Sequence, residues 1–527
     1  MREETEPVPP WFLSLGYAIG NMRISLVTLT SVIPAWGQIG PRHEPSLNHL
    51  DFESSLMVQP AKRGTSIFPH YAQSIRTFVF CCFTLLMSGS PLHAASPYSL
   101  ARFSADVTIP LGHRCMGVLP TKSTSIDDPL YAHGFVLLGP EEPIVLCAVD
   151  WCEIRNGAYD QWREALAQAA GTTVERVLVS SLHQHDAPVI DSTAAQLLAQ
   201  VGLEGELYDE EFHQQTLTAV AAAVSACLDS AHPITHLGIG QATVQKIASN
   251  RRVIDSGGRV NYTRGSRSGG NPVYREAEVG QIDPYLKTLS FWNNDQPVLA
   301  LHCYATHPMS TYGKGKVSSD FVGLARNRRQ LDDAKIFQIY VSGCSGDVTA
   351  GKFNDGSELH RKQLIDRLYK AMVKAWRDTK RAPIDQIAFR NTQLQLRFHP
   401  GKHLTHQSLR NTLEDSEQTV EKRILAAMGL ASRQRVEAGQ GIDLPCIDFG
   451  LAQLVLFPGE TFVAYQLLAQ KLRPTSFVMC LGYGECWPGY IPTDANFDEH
   501  FEDTWLWVAP GSEQRLRTAL QKVLVQP

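Results

Sequence analysis

The run Val177-Leu178-Val179-Ser180-Ser181-Leu182 constrains the chain more than any other stretch. It is uncharged and rich in β-branched and apolar residues. It follows an amphipathic pattern over residues 156–170 closed by Gly171, and it ends in His183-Gln184-His185-Asp186. A helical pattern feeding a buried strand is the rhythm of an α/β fold, in which helices cover a sheet and ligands collect at the carboxyl ends of strands. On an extended strand, residues two apart point to the same side, so both imidazoles are expected to face one cavity. Such a pair can hold a metal, or one ring can hold it while the other moves protons. The chain has 18 histidines in 527 residues. Chance alone then supplies roughly 0.6 His-x-His pairs, so this one gains meaning only from what accompanies it.

The rhythm repeats downstream. Residues 142–149 read as a strand, and residues 286–292 and 298–304 as a hairpin turned by Asn293-Asn294-Asp295, its second strand running into Ala305-Thr306-His307-Pro308. A helix is expected over residues 320–331, a strand over 336–341, and then the Gly-rich turn Ser342-Gly343-Cys344-Ser345-Gly346-Asp347-Val348-Thr349. One long strand is expected over residues 384–398. After a strand at 451–457, Pro458-Gly459-Glu460 is expected to open a helix, where a carboxylate also complements the helix dipole. A last strand at 476–481 leads into the segment carrying Tyr483 and Tyr490. Residues 250–271, rich in Gly, Arg, Ser and Asn and opened by Arg251-Arg252, read as a long loop of the kind that tends to be functional. Several strand ends thus each present a metal-competent group: His183 and His185, His307, Glu460 and Tyr490. Nitrogen and oxygen donors in this mixture suit zinc with one position left open for water. The expected architecture is α/β, a large mixed β-sheet core flanked by helices.

Charge and the N-terminus narrow the setting. The net charge is −5 without long runs of one sign, which excludes a basic footprint for nucleic acid and leaves a small-molecule substrate as the expectation. Residues 1–68 show no sustained period. Arg76 then precedes the apolar run Thr77-Phe78-Val79-Phe80-Cys81-Cys82-Phe83-Thr84-Leu85-Leu86-Met87, which ends in small residues up to Ala95. A positive flank, a short apolar core and a small-residue end make a secretory signal. It lies far from Met1, so translation is expected to start at Met57, with Lys62 and Arg63 in the charged region. Residues 1–95 are accordingly expected to be a poorly ordered extension, residues 96–527 the catalytic domain, and the protein exported. Past the signal nine cysteines remain, an odd number that makes no disulfide framework.

At this point the sequence resembles the neutral/alkaline, non-lysosomal ceramidases, which are zinc-dependent amidohydrolases. The likeness runs from about Phe103 to Trp507 in short blocks in the family's order. Phe103-Ser104-Ala105-Asp106-Val107-Thr108 is similar to its opening strand, and Leu130-Tyr131-Ala132-His133-Gly134-Phe135-Val136 to the segment after it. Leu182-His183-Gln184-His185-Asp186-Ala187-Pro188, Asn250-Arg251, Ala305-Thr306-His307-Pro308-Met309-Ser310, Gly346-Asp347-Val348-Thr349 and Phe457-Pro458-Gly459-Glu460 follow. The resemblance implies a Zn2+ held by His183, His307, Glu460 and Tyr490, with Tyr483 competing for the last place. It implies His185 as general acid/base and Arg251 as the group that polarises the substrate carbonyl. The implied substrate is a lipid-like N-acyl amide, met at or near a membrane surface and cleaved by zinc-activated water. The family's second tyrosine has Phe501-Glu502 as its nearest counterpart, its Ser after Gly-Asp-Val is Thr349, and the C-terminal immunoglobulin-like domain of many members is not expected here. These departures keep two alternatives: a zinc hydrolase acting on an ester or phosphoester, and an exported binding protein with a degenerate site.

Overall fold

A computed structural model describes residues 96–525; the signal segment and the start at Met57 lie outside the described residues. The α/β expectation holds, and the mixed β core is divided among three sheets. In the first, Val177–Ser181, Ile144–Val149, Tyr131–Leu138, Ser99–Asp106 and His232–Pro233 lie side by side. The second runs Phe337–Ser342, Gln296–Tyr304, Tyr285–Asn293, His236–Thr243 and Lys380–Pro383, and the third Ala388–Arg390, Cys446–Asp448, Ala452–Leu456 and Phe477–Leu481. Within each sheet the hairpin-connected strands are antiparallel, and one edge pair is parallel: Ile144–Val149 with Val177–Ser181, Gln296–Tyr304 with Phe337–Ser342, and Ala452–Leu456 with Phe477–Leu481. Helical connections such as Asn156–Ala170 and Asp320–Asp332 make these parallel crossovers, as they must. The helix Asn156–Ala170 stops where its sequence says, with Gly171 at φ 67° and its N–H on the carbonyls of Ala167 and Gln168.

The strand Val177–Ser181 is buried on both faces. Val177 and Val179 join the core under the helices with Trp162 and Leu166, and Leu178 joins a second core with Leu299, Ile339 and Leu454 between the sheets. Each such side chain, removed from water, contributes about 1.5–3 kcal/mol. All nine cysteines of this region are free and buried.

Two sequence expectations change. Residues 384–398 are not one strand. Ala388–Arg390 pairs with Cys446–Asp448, whereas Gln393–Leu394 pairs with Ile442–Asp443. The change of partner falls at Asn391, whose side chain bonds Asp443. Glu460 does not open a helix either. It lies in the two-residue strand Glu460–Thr461, and the helix begins at Val463.

The three parallel edge strands meet at their carboxyl ends. Ser181 N–H donates to Tyr483 O at 2.9 Å, Gly482 N–H to Ser342 O at 2.8 Å, and the Ser342 hydroxyl to Leu182 O at 2.8 Å. Approach this close needs bare backbone: a Cβ at Gly482 would sit 2.9 Å from Gly343 O. Gly482→Ala should therefore lower the unfolding free energy by about 1–3 kcal/mol. Urea denaturation measures it, and an unchanged midpoint would mean that the three ends do not pack this tightly.

Candidate metal centre

The loops leaving the three junctions carry the chemical groups. The strand before His183 ends at Ser181, and His183 takes a left-handed φ of 68°. The two rings therefore converge through a strained turn and not through the alternation of a strand. Their centroids lie 4.9 Å apart, edge to face. The His307 ring, from the loop after Gln296–Tyr304, lies 4.8 Å from that of His183. Glu460 arrives beside Tyr490 because Glu460–Thr461 pairs in parallel with Tyr490–Ile491, residue 460 against 490. Directly paired residues share a face of the ladder.

Hydrogen bonds behind the rings determine what the front offers. His307 Nδ1 faces only carbonyl oxygens, Ser345 O at 2.6 Å and Val348 O at 3.2 Å, so it carries the proton and leaves the Nε2 lone pair forward. His183 Nδ1 likewise sits 3.2 Å from Cys152 O, with Glu153 Oε1 behind it at 3.8 Å. Both Nε2 atoms then point at one carboxylate oxygen, Glu460 Oε2, at 2.9 Å from His307 and 3.3 Å from His183. Burial raises the Glu460 carboxyl, but the adjoining His183 and His307 rings outweigh it and hold the group below the usual carboxylate range. Burial pushes His307 down to about 4. With each Nδ1 turned to a carbonyl behind it, the two Nε2 lone pairs and the carboxylate oxygen set acceptor against acceptor, an arrangement that a cation between them would relieve. The ligand atoms of His183, His307 and Glu460 all lie within 4.8 Å of one another and are buried. His183 Nε2 has no hydrogen-bond donor. This donor set fits a metal ion, with nitrogen and carboxylate ligands already oriented by the atoms behind them.

A second grouping, Cys152 with His183 and His185, is also within metal-binding reach. It fits less well. Burial and the neighbouring Glu153 push the Cys152 thiol well above its ordinary value, and the His183 nitrogen on that side already bonds Cys152 O.

Around the three acceptors stand the other expected residues. Among the described residues both ring nitrogens of His185 lack partners, and burial, reinforced by the neighbouring His183 and His307, holds the ring well below its ordinary value. Arg251 Nη1 donates to the Tyr490 hydroxyl at 2.9 Å, and the guanidinium stays charged because Tyr490 and Glu460 outweigh its burial. Tyr483 stacks on the His183 ring at 4.2 Å, but its hydroxyl is bonded to the Ser345 hydroxyl at 2.7 Å. The six expected residues, and Tyr483 with them, are thus brought together.

Several groups went unassigned from the sequence. Asp347 accepts from Val463 N–H at 2.8 Å and Asn250 Nδ2 at 2.7 Å, while its carbonyl takes Arg251 N–H, so it joins the loop of Arg251 to the turn after Glu460. An Asp inside a Gly-rich turn at a strand end was the available signal. Asp320 accepts from Ser310 N–H at 2.7 Å and from its hydroxyl, fixing the turn after His307.

Two outcomes follow. His183→Ala should abolish stoichiometric metal and His185→Ala should retain it, by elemental analysis of purified protein; equal loss in both would make His185 a ligand. Burial pushes Asp320 up to about 6 from its ordinary value of 3.8. The folded state then holds a proton that the unfolded state has released, so stability falls as pH rises from about 4 to about 6. Asp320→Asn should flatten that part of the stability profile in denaturation series across pH, and an unaltered slope would refute the assignment.

No protein-family profile and no curated protein matches the sequence. Among solved structures the chain is similar to neutral ceramidase from Pseudomonas aeruginosa, with a TM-score of 0.57 and 15% identity over 82% of this chain and 74% of that one. It is also similar to a structure described as a ceramidase complexed with C2, with a TM-score of 0.58 and 16% identity over 82% of this chain and 75% of the other. At such identities the likeness is one of fold, and function must be argued from the site.

Proposed function

We propose that the chain is a zinc-dependent hydrolase of N-acyl amides, with a ceramide-like lipid as the substrate class. The observation that carries this reading is the convergence of three acceptors, His183 Nε2, His307 Nε2 and a Glu460 oxygen, beside Arg251 and the His185 ring, whose nitrogens have no partner among the described residues. The ceramidase-like fold favours an amide over the ester or phosphoester alternatives. We assign His183, His307, Glu460 and Tyr490 as the residues that would hold Zn2+. Tyr490 takes the fourth place because it is the cross-strand neighbour of Glu460, whereas the Tyr483 hydroxyl is bonded to Ser345. When bound, zinc supplies Lewis acidity that polarises an acyl oxygen and brings the pKa of water toward neutrality.

The chain's own residues do the rest. Arg251, charged, half-buried and steadied by Tyr490, offers N–H donors to the negative charge that develops on the acyl oxygen. His185, neutral and unpartnered, accepts a proton from the attacking water and returns it to the departing amine nitrogen, so that the C–N bond breaks to give carboxylic acid and amine. Burial of His183, His185, His307, Glu460 and Tyr490 keeps these interactions strong. Export is part of the proposal and rests on the signal-like segment over residues 76–95. Among the described residues, no helix is long and apolar enough to cross a membrane.

The test is release of fatty acid from a panel of N-acyl amides by zinc-loaded protein. Arg251→Ala should lower kcat about 10²- to 10³-fold. His185→Ala should lose about 10²- to 10⁴-fold with metal retained. Zinc-loaded protein that releases no fatty acid from any member of the panel would overturn the reading.

A further inference from the structure

Five arginines lie in residues 250–271, and four are engaged by the protein. Arg251 bonds Tyr490, Arg252 bonds Glu499, Arg259 bonds Asp255, and Arg264 bonds the carbonyls of Asn250 and Glu278. Among the described residues the fifth, Arg267, has no carboxylate or carbonyl on its guanidinium, and it is exposed. It is nevertheless held in place. Its Cζ lies 4.2 Å from the ring centroid of Tyr312, and Tyr312 meets the His185 ring edge to face at 5.5 Å. A guanidinium stacked on an aromatic ring keeps its N–H edge free to bind.

Buried hydrogen bonds fix both members of this stack. Asn354, itself fully buried, donates from Nδ2 to Ser266 O at 2.8 Å and to Ser310 O at 2.9 Å, joining the two loops one residue before Arg267 and two before Tyr312. Ser266 Oγ also contacts Met309 Sδ at 3.1 Å. From the other side, the Asp186 carboxylate accepts Gly313 N–H at 2.9 Å and is bonded by the N–H groups of Lys314 and Gly315. Asp186 is the residue after His185, so the Tyr312 loop is tied to the turn that carries the proposed acid/base. Beyond Arg267 in sequence, Gly269 and Gly270 border a separate cavity of about 300 Å³ whose cations are engaged, Lys352 by the carbonyls of Arg275 and Ala277 and Arg367 by that of Lys246.

We infer that Arg267, held on Tyr312 at the rim beside His185, is a specificity residue that selects N-acyl amides whose amine portion carries an anionic group, a carboxylate or a phosphate. The inference rests on the hydrolase reading and narrows its substrate. Tyr312 forms the wall between the scissile amide and that charge. A planar guanidinium meets either anion with two parallel N–H bonds. A neutral headgroup has nothing to offer it.

Three amides with one acyl chain test this: N-oleoyl glycine, N-oleoyl phosphoethanolamine and neutral N-oleoyl ethanolamine. Wild-type protein should prefer one or both anionic compounds by about tenfold in kcat/KM, chiefly through KM. Arg267→Glu should erase that preference while leaving the neutral amide within about twofold. Whichever anion is preferred identifies the headgroup. Equal activity on all three, or an equal loss on all three in the variant, would overturn the inference. Calorimetric titration of the His185→Ala protein with the same compounds separates recognition from turnover. Tighter binding of an anionic amide that Arg267→Glu abolishes supports the inference even if no amide is hydrolysed, an outcome that would defeat the hydrolase reading alone. Hydrolysis of the neutral amide only would defeat the inference and leave that reading in place.

Discussion

Everything in the molecule depends on three strand ends being held together by backbone. Ser181, Ser342 and Gly482 close a small circuit of hydrogen bonds in which each of three sheets contributes one edge strand. A parallel edge pair has its carboxyl ends side by side, so the loops that follow leave in the same direction. Three such pairs meeting at one point supply three sets of loops around one space. The glycine at 482 is what the arrangement requires, since a side chain there would push against the Gly343 carbonyl of the neighbouring sheet's strand end.

The circuit also explains how the centre stays ordered with so many like groups facing inward. Each forward-facing ring nitrogen has a carbonyl behind it, at Cys152 for His183 and at Ser345 for His307. Those carbonyls belong to loops that leave the junction. The protein therefore fixes each tautomer from structure it needs in any case, and the electrostatic tension is confined to Glu460 and its two imidazoles. Positive charge nearby, from Arg251, is held off by the Tyr490 hydroxyl and does not neutralise the carboxylate directly.

Much of the site was legible in the sequence, and the reasons differ by residue. His183, His307 and Glu460 each follow a strand whose apolar run is unmistakable, so their placement at strand ends needed only periodicity. The mutual approach of the three did not. It depends on tertiary hydrogen bonds between serine hydroxyls and carbonyls more than a hundred residues away, which leave no local pattern. His183 and His185 converge by a different geometry from strand alternation, because the strand ends at Ser181 and His183 itself takes a positive φ, which is uncommon outside glycine and leaves no periodic signal. Glu460 was misplaced at a helix start for a related reason. Pro-Gly followed by an amphipathic stretch looks like a helix opening, but the ladder with Tyr490, thirty residues on, claims the carboxylate first. Asp347 and Asn354 escaped notice because a buried polar residue that bonds only backbone and amides looks, in sequence, like any turn residue. The division of the β core into three sheets was equally hidden, since strands of the same composition fit one sheet or several.

The groups proposed to hold a metal come from residues 183, 307, 460 and 490, one or two from each parallel junction. No short fragment of the chain contains more than part of the set, and every pair among the four except Glu460 with Tyr490 is more than a hundred residues apart in sequence. Such long-range contacts form slowly, because loop closure must precede them. A metal that binds here can therefore recognise only chains whose three sheets have already docked. Its affinity adds directly to the stability of that state and to no partly folded one, so occupancy of the centre acts as a check on the completeness of folding.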